Sequence, residues 1–143
     1  MRRAQQSRWS GLDVIVIFLI FATVMAATVG LALLFPGHLL DAMWRLNPEA
    51  RTAFEGMGRL SSVLLFVVGA VAAGAAVGIL RRRKLGWWLA VVLFSVNAVG
   101  DAVSVIQGRI WQGLFGVLIS ALFLAYLLRP GVRAQFDRPS GRS

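Results

Sequence analysis

The chain has 143 residues, 58% of them hydrophobic, a mean hydropathy of +0.75 and a formal charge of +9 from 15 Lys+Arg against 6 Asp+Glu. A water-soluble core cannot hide so much apolar surface in so short a chain, so lipid is its natural solvent. The lack of cysteine excludes disulfides, thiol catalysis, iron–sulfur ligation and cysteine-based zinc sites, and with no basic patch interleaved with aromatics, no nucleic-acid partner is expected.

A short N-terminal stretch, residues 1–11, carries Arg2, Arg3 and Arg8. The first apolar segment then runs from about Leu12 to Phe35, with Asp13 as a helix-start acid after Ser10 and Gly11. Its length exceeds the 7–15 residues of a signal-peptide core, and its small-residue site at Ala26-Ala27 lies inside the run, so an uncleaved anchor is expected.

Phe35-Pro36-Gly37 ends that helix. In the loop that follows, Leu39, Leu40, Met43 and Trp44 share one face at helical spacing, as in a short helix lying in the interface. His38 beside Asp41 is too small a set for a metal, which takes three or four ligands. Asn47-Pro48-Glu49 reads as a helix start, with a capping Asn, Pro at the first helical position and an acid in the first turn. A helix continuing from there to Leu80 would be about 50 Å long, bent at Gly56 and Gly58.

The second span covers about 60–80, the third about 85–106 and the fourth about 110–128. Each is near the roughly 20 residues that cross a hydrocarbon core as a helix. The expected architecture is therefore an all-α, polytopic four-helix membrane bundle over residues 12–128, followed by a tail at 129–143. Arg81, Arg82, Arg83 and Lys84 fill the link between the second and third spans, and Arg129, Arg133, Arg138 and Arg142 follow the fourth. With the N-terminal arginines these put eleven basic residues on one side, against Arg45, Arg51, Arg59 and Arg109 on the other. The positive-inside rule places both termini in the cytoplasm of a bacterial inner (plasma) membrane. Arg81, Arg82, Arg83 and Lys84 are also expected to attract anionic lipid headgroups. Trp9, Trp87-Trp88 and Trp111 fall where interfacial belt aromatics belong.

Asp101 is the most unusual side chain, an acid inside the third span with Asn97 one turn before it and Ser104 one turn after. Intramembrane acids often line proton or ion paths. The simpler expectation is that Asp101 pairs with Arg59 or Arg109 at the rim while Asn97 bonds a neighbouring helix. Ala70, Gly74 and Gly78 form a small-xxx-small ridge suited to close helix packing, within the bundle or against a second copy or larger complex. Gly116 and Ser120 make a shorter ridge on the fourth span. The spans hold no His or Cys and no second deep acid, so an intramembrane enzyme lacks acid–base partners and no cofactor is expected.

Two stretches carry a resemblance. Arg82-Arg83-Lys84-Leu85-Gly86-Trp87-Trp88-Leu89-Ala90 resembles the basic-then-Trp helix entry of many small bacterial membrane proteins. Tyr126-Leu127-Leu128-Arg129-Pro130-Gly131-Val132-Arg133-Ala134-Gln135-Phe136 is similar to the Tyr-Leu-x-Arg-Pro-x-Val-(Lys or Arg)-x-x-Phe ending of uncharacterised four-span bacterial membrane proteins. That resemblance implies a membrane-exit signature and no functional residues. The expected role is a non-enzymatic structural or accessory membrane component, the alternative a small homo-oligomeric transporter or channel using Asp101 and Asn97.

Overall fold

The computed structural model describes residues 10–35, 45, 48, 51, 52, 56 and 58–137. They form α1 (Gly11–Leu34), α2 (Arg59–Leu80), α3 (Lys84–Ile106), α4 (Ile110–Leu127) and α5 (Pro130–Asp137), with no strand among the described residues. α1 to α4 are long and apolar enough to cross a membrane. The expected interfacial helix at 39–44, with His38 and Asp41, lies outside the described residues, as do Trp9 and the tail beyond Asp137.

Local chemistry sets the helix ends. The Ser10 hydroxyl accepts from the Leu12 N–H at 3.1 Å, while the Asp13 carboxylate accepts from the Ser10 N–H at 2.8 Å. This reciprocal capping box starts α1. α2 does not run on from Pro48. Residues 48, 51, 52 and 56 are helical, but Gly58 takes φ 58° and ψ −141°, so a new helix begins at Arg59. A left-handed φ is readily available to glycine, and here it breaks the helix where the sequence suggested only a bend. The α2–α3 link is a tight turn in which Arg82 sits at φ 52° and the Arg83 N–H donates to the Gly78 carbonyl at 2.8 Å.

Small residues hold the helices together. A Cβ on Gly30 would press on the Phe66 ring at 3.2 Å, and one on Gly69 would touch Ala26 at 3.4 Å, so α1 and α2 pack closely along that stretch. Gly78 and Gly86 bring α2 and α3 into backbone contact, since a Cβ on Gly78 would stand 2.9 Å from the Gly86 nitrogen. Gly113 does the same for α4 against α3, where its Cβ would meet the Val105 nitrogen at 2.8 Å. Such approaches replace the hydrophobic effect, which gives helices no drive to associate in lipid, with dispersion and weak Cα–H···O contacts.

The core lies at one end of the bundle, the end that carries Arg81–Lys84. It is built from Leu12, Ile15, Val16 and Leu19 of α1, Ala72, Ala75, Ala76 and Ile79 of α2, Trp87, Ala90 and Phe94 of α3, and Leu127 of α4. Phe18, Phe94 and Phe123 close it, with ring centroids 5.1–5.9 Å apart. Past Phe94 no residue of α3 is buried. The outside is apolar, with Phe21, Leu122 and Phe115 all more than 60% exposed. Such a surface suits lipid and not water.

The segment after α4 is a fifth helix and not a simple exit tail. Pro130 occupies its first position, where the missing N–H costs nothing. Val132 and Phe136, four residues apart, are buried against the basic end of the core. The Lys84 ammonium lies 2.9 Å from the Asp137 carboxylate, the Arg133 guanidinium 3.7 Å from it, and Arg82 donates to the Gln135 side chain. The hydrogen bond and charge of Lys84, with Arg133 beside it, hold the Asp137 carboxyl below its ordinary value of 3.8. A carboxyl lowered in the folded state stabilises docking above the unfolded pKa, and the contribution fades as pH falls through the folded one. Hydrogen exchange in α5 should therefore be constant from neutral pH down to about 5 and accelerate below 4, after correction for intrinsic rates. In Asp137→Asn that acid-dependent step should disappear. An identical step in the variant would assign it to another group.

Candidate functional site

Two places concentrate polar chemistry. The first is inside the membrane-spanning region between α3 and α4. The Asn97 amide donates to the Asp101 carboxylate at 3.2 Å and to the Ser120 hydroxyl at 3.3 Å. Ser120 is buried, and Asp101 lies over Gly116, where a Cβ would stand 2.7 Å from its Oδ1. The missing side chain at Gly116 makes the seat for this carboxylate. Ser104 is not part of the cluster, for its hydroxyl returns to the Gly100 carbonyl of its own helix at 3.0 Å. Ser120, read from the sequence as a small packing residue, is the partner that completes the group.

The expected ion pair is not formed. Neither Arg59 nor Arg109 comes within ion-pair distance of Asp101, and the Arg109 guanidinium donates instead to the Gln107 side chain at 3.2 Å. A long arginine at a helix end reaches outward to the headgroups, while the short Asp101 side chain stays five residues, about 7.5 Å, inside the end of α3. Chemically the cluster is one acid, one amide and one hydroxyl. That set can clasp two helices, at roughly 0.6 kcal/mol per interhelical hydrogen bond, but it holds no second acid for paired proton transfer. Among the described residues no group of His, Cys, Asp and Glu could hold a metal ion.

The ridge on α2 also differs from expectation. Gly78 is buried against Gly86, but Ala70 and Gly74 are exposed, and the face that packs is Gly69, Ala72, Ala75 and Ala76. Small residues occupy every side of this stretch of helix, so spacing alone does not choose the packed face.

The second polar place is the basic end itself. Arg81, Arg82, Arg83 and Lys84 make up the turn, and Arg129 and Arg133 lie in the α4–α5 link and in α5. Arg133 lies 5.7 Å from the Trp87 ring centroid, Arg129 5.9 Å from that of Tyr126. Trp87 is not a belt aromatic. It is 3% exposed, and its indole N–H donates to the Leu127 carbonyl at 2.9 Å. That carbonyl belongs to the last turn of α4, where the helix supplies no donor. Trp88 and Trp111 are exposed, at 50% and 85%. A Cβ on Gly11 would meet the Tyr126 ring at 2.6 Å, so α1 also begins against the end of α4. Every segment that reaches this end is tied to another.

No family model matches the chain, and no solved structure does. Over 115 residues it is 36% identical to a probable membrane-anchored ferredoxin of Chromohalobacter salexigens. The match takes in 78% of this chain but only 17% of that relative's length. The four apolar helices and this membrane-anchored relative together make the chain a multi-pass membrane protein with a helical bundle as its membrane domain.

Proposed function

We propose that the protein is a non-enzymatic membrane component, an anchor that holds a redox partner at the cytoplasmic face of a bacterial plasma membrane. The observation that carries this reading is the match to a membrane-anchored ferredoxin in a chain that brings a membrane bundle and no cluster ligands. Iron–sulfur clusters are held by cysteine thiolates. These 143 residues contain no cysteine, so they do not fit such a cluster, and in this reading the cluster is carried outside them. The basic end, ordered by α5 and by Trp87, is the face that meets the partner. Its excess of Lys and Arg supports a cytoplasmic side for it and for both termini. In the same reading, Tyr126, Val132 and Phe136 of the Tyr126–Phe136 ending pack inward and order the basic end.

The second reading, a small homo-oligomeric transporter, draws on the Asn97–Asp101–Ser120 cluster within the span. The packing of Asp101 onto Gly116 favours a structural clasp over an open path. Purification from native membranes in mild detergent separates the two. The anchor reading expects a stoichiometric companion with bound iron and sulfide. Dissolving that companion's hold with salt should leave the bundle folded. A clean homo-oligomer with cation flux in proteoliposomes, lost in Asp101→Asn, would replace the anchor with the transporter.

A further inference from the structure

The basic run Arg81–Lys84 is divided by its own backbone. Arg82 donates to Gln135 on α5, and Lys84 is paired with Asp137. Arg81 and Arg83 are exposed, and neither has an ion pair or side-chain hydrogen bond among the described residues. Both line a groove of about 150 Å³ between α2 and α3. Below the two guanidinium groups its lining is apolar, with Val77 on one helix and Leu85 and Leu89 on the other. Gly74 leaves the groove open, since even a Cβ there would only reach Leu89 at 3.6 Å. Val77 and Leu85 are 47% and 70% exposed on the outside of the bundle, which is where lipid lies.

Two unpaired cations at the rim and hydrocarbon walls running into the membrane match a ligand divided in the same way. We propose that this groove binds an anionic phospholipid of the leaflet at the basic end. Its phosphate sits between Arg81 and Arg83, and one acyl chain lies along Val77, Leu85 and Leu89. Guanidinium groups suit this task because they present several donors in a plane to phosphate oxygens. The volume takes the start of one chain, and the other chain stays in the bilayer. Lipid binding in this groove requires no redox partner.

The test is a titration of the full chain, purified in neutral detergent, with phosphatidylglycerol, read by native mass spectrometry. Replacing both groove arginines in Arg81→Gln/Arg83→Gln should weaken binding roughly twenty-five-fold, at about fivefold for each basic residue near the surface. Arg82→Gln/Lys84→Gln removes the same charge outside the groove and should weaken binding far less than the groove pair does. Gly74→Leu keeps every charge and fills the groove, and it too should lose the lipid while its melting temperature in lipid-free detergent stays at the wild-type value. Equal weakening by the two double variants would reduce the site to general rim charge. Equal binding of phosphatidylcholine would make it a merely apolar groove. Full competition by inorganic phosphate would make it a site for free anions. Each of these three outcomes overturns the proposal.

Discussion

Gly86→Val will separate α3 from α2 and lower the stability of the bundle by about 3 kcal/mol or more, the upper end of the cost of overpacking a tight interior. A Cβ at Gly86 would stand 2.7 Å from the Ile79 nitrogen and closer still to the Gly78 backbone. The opposing atoms are main chain, so they cannot swing aside as a side chain could. Relief requires the two helices to part, which pulls Trp87 and Ala90 away from Ala75, Ala76 and Ile79, or requires the Arg81–Arg83 turn to open. Gly100→Val is the matched control on the same helix, since nothing lies within 4 Å of a Cβ there. Thermal unfolding in detergent, followed by tryptophan fluorescence, should show a large drop for Gly86→Val and none for Gly100→Val. Equal melting curves for Gly86→Val and wild type would mean that the two helices are not in backbone contact.

Trp87→Phe should be the next most damaging, while Trp88→Phe is nearly silent, although the two residues are adjacent and chemically the same. The Trp87 indole N–H is the donor to the Leu127 carbonyl, at 2.9 Å and fully inside the structure. Phenylalanine keeps most of the packing and removes only the donor. The abandoned carbonyl then costs about 1–3 kcal/mol, because neither water nor lipid replaces the bond at that depth. Trp88 is half exposed and donates no side-chain hydrogen bond among the described residues. The same unfolding assay reads the difference, and protease access to α5 provides a second readout. Since Leu127 is three residues before Pro130, loosening this carbonyl should expose α5 earlier than the rest of the bundle. A Trp87→Phe protein as stable as Trp88→Phe would remove the indole from any role in holding α4.

These contrasts show which level of information decided what. The four spans were legible in the chain, and the helices run 11–34, 59–80, 84–106 and 110–127 against expected limits of 12–35, 60–80, 85–106 and 110–128. Insertion into lipid is decided by local composition, because every backbone polar group must be satisfied within its own segment. The helix-start role of Asp13 was legible for the same reason, as it involves only neighbouring residues. The helix at 130–137 was missed because eight residues of mixed composition carry no span signal. A faint one existed in Pro130 at the first position and Val132 and Phe136 one turn apart.

At the candidate sites the division is sharper. The sequence placed Asn97 and Asp101 on one face of α3 by helical period, but their partner Ser120 lies 23 residues on and on another helix. Only the close approach allowed by Gly113 and Gly116 brings it within reach. Likewise, four consecutive basic residues read as one charged patch, and a single left-handed φ at Arg82, with α5 docked beside it, splits them into two that tie the fold and two that face the groove. The packed face of α2 also stayed open, since alanine and glycine surround that helix and their pattern has no direction. What the chain determined by itself is its solvent, its number of apolar spans and the start of its first helix, all of which depend on interactions within about one helical turn. What only the tertiary structure decided is which small residue meets which backbone, because that choice depends on the simultaneous fit of three helices and not on the periodicity of any one of them.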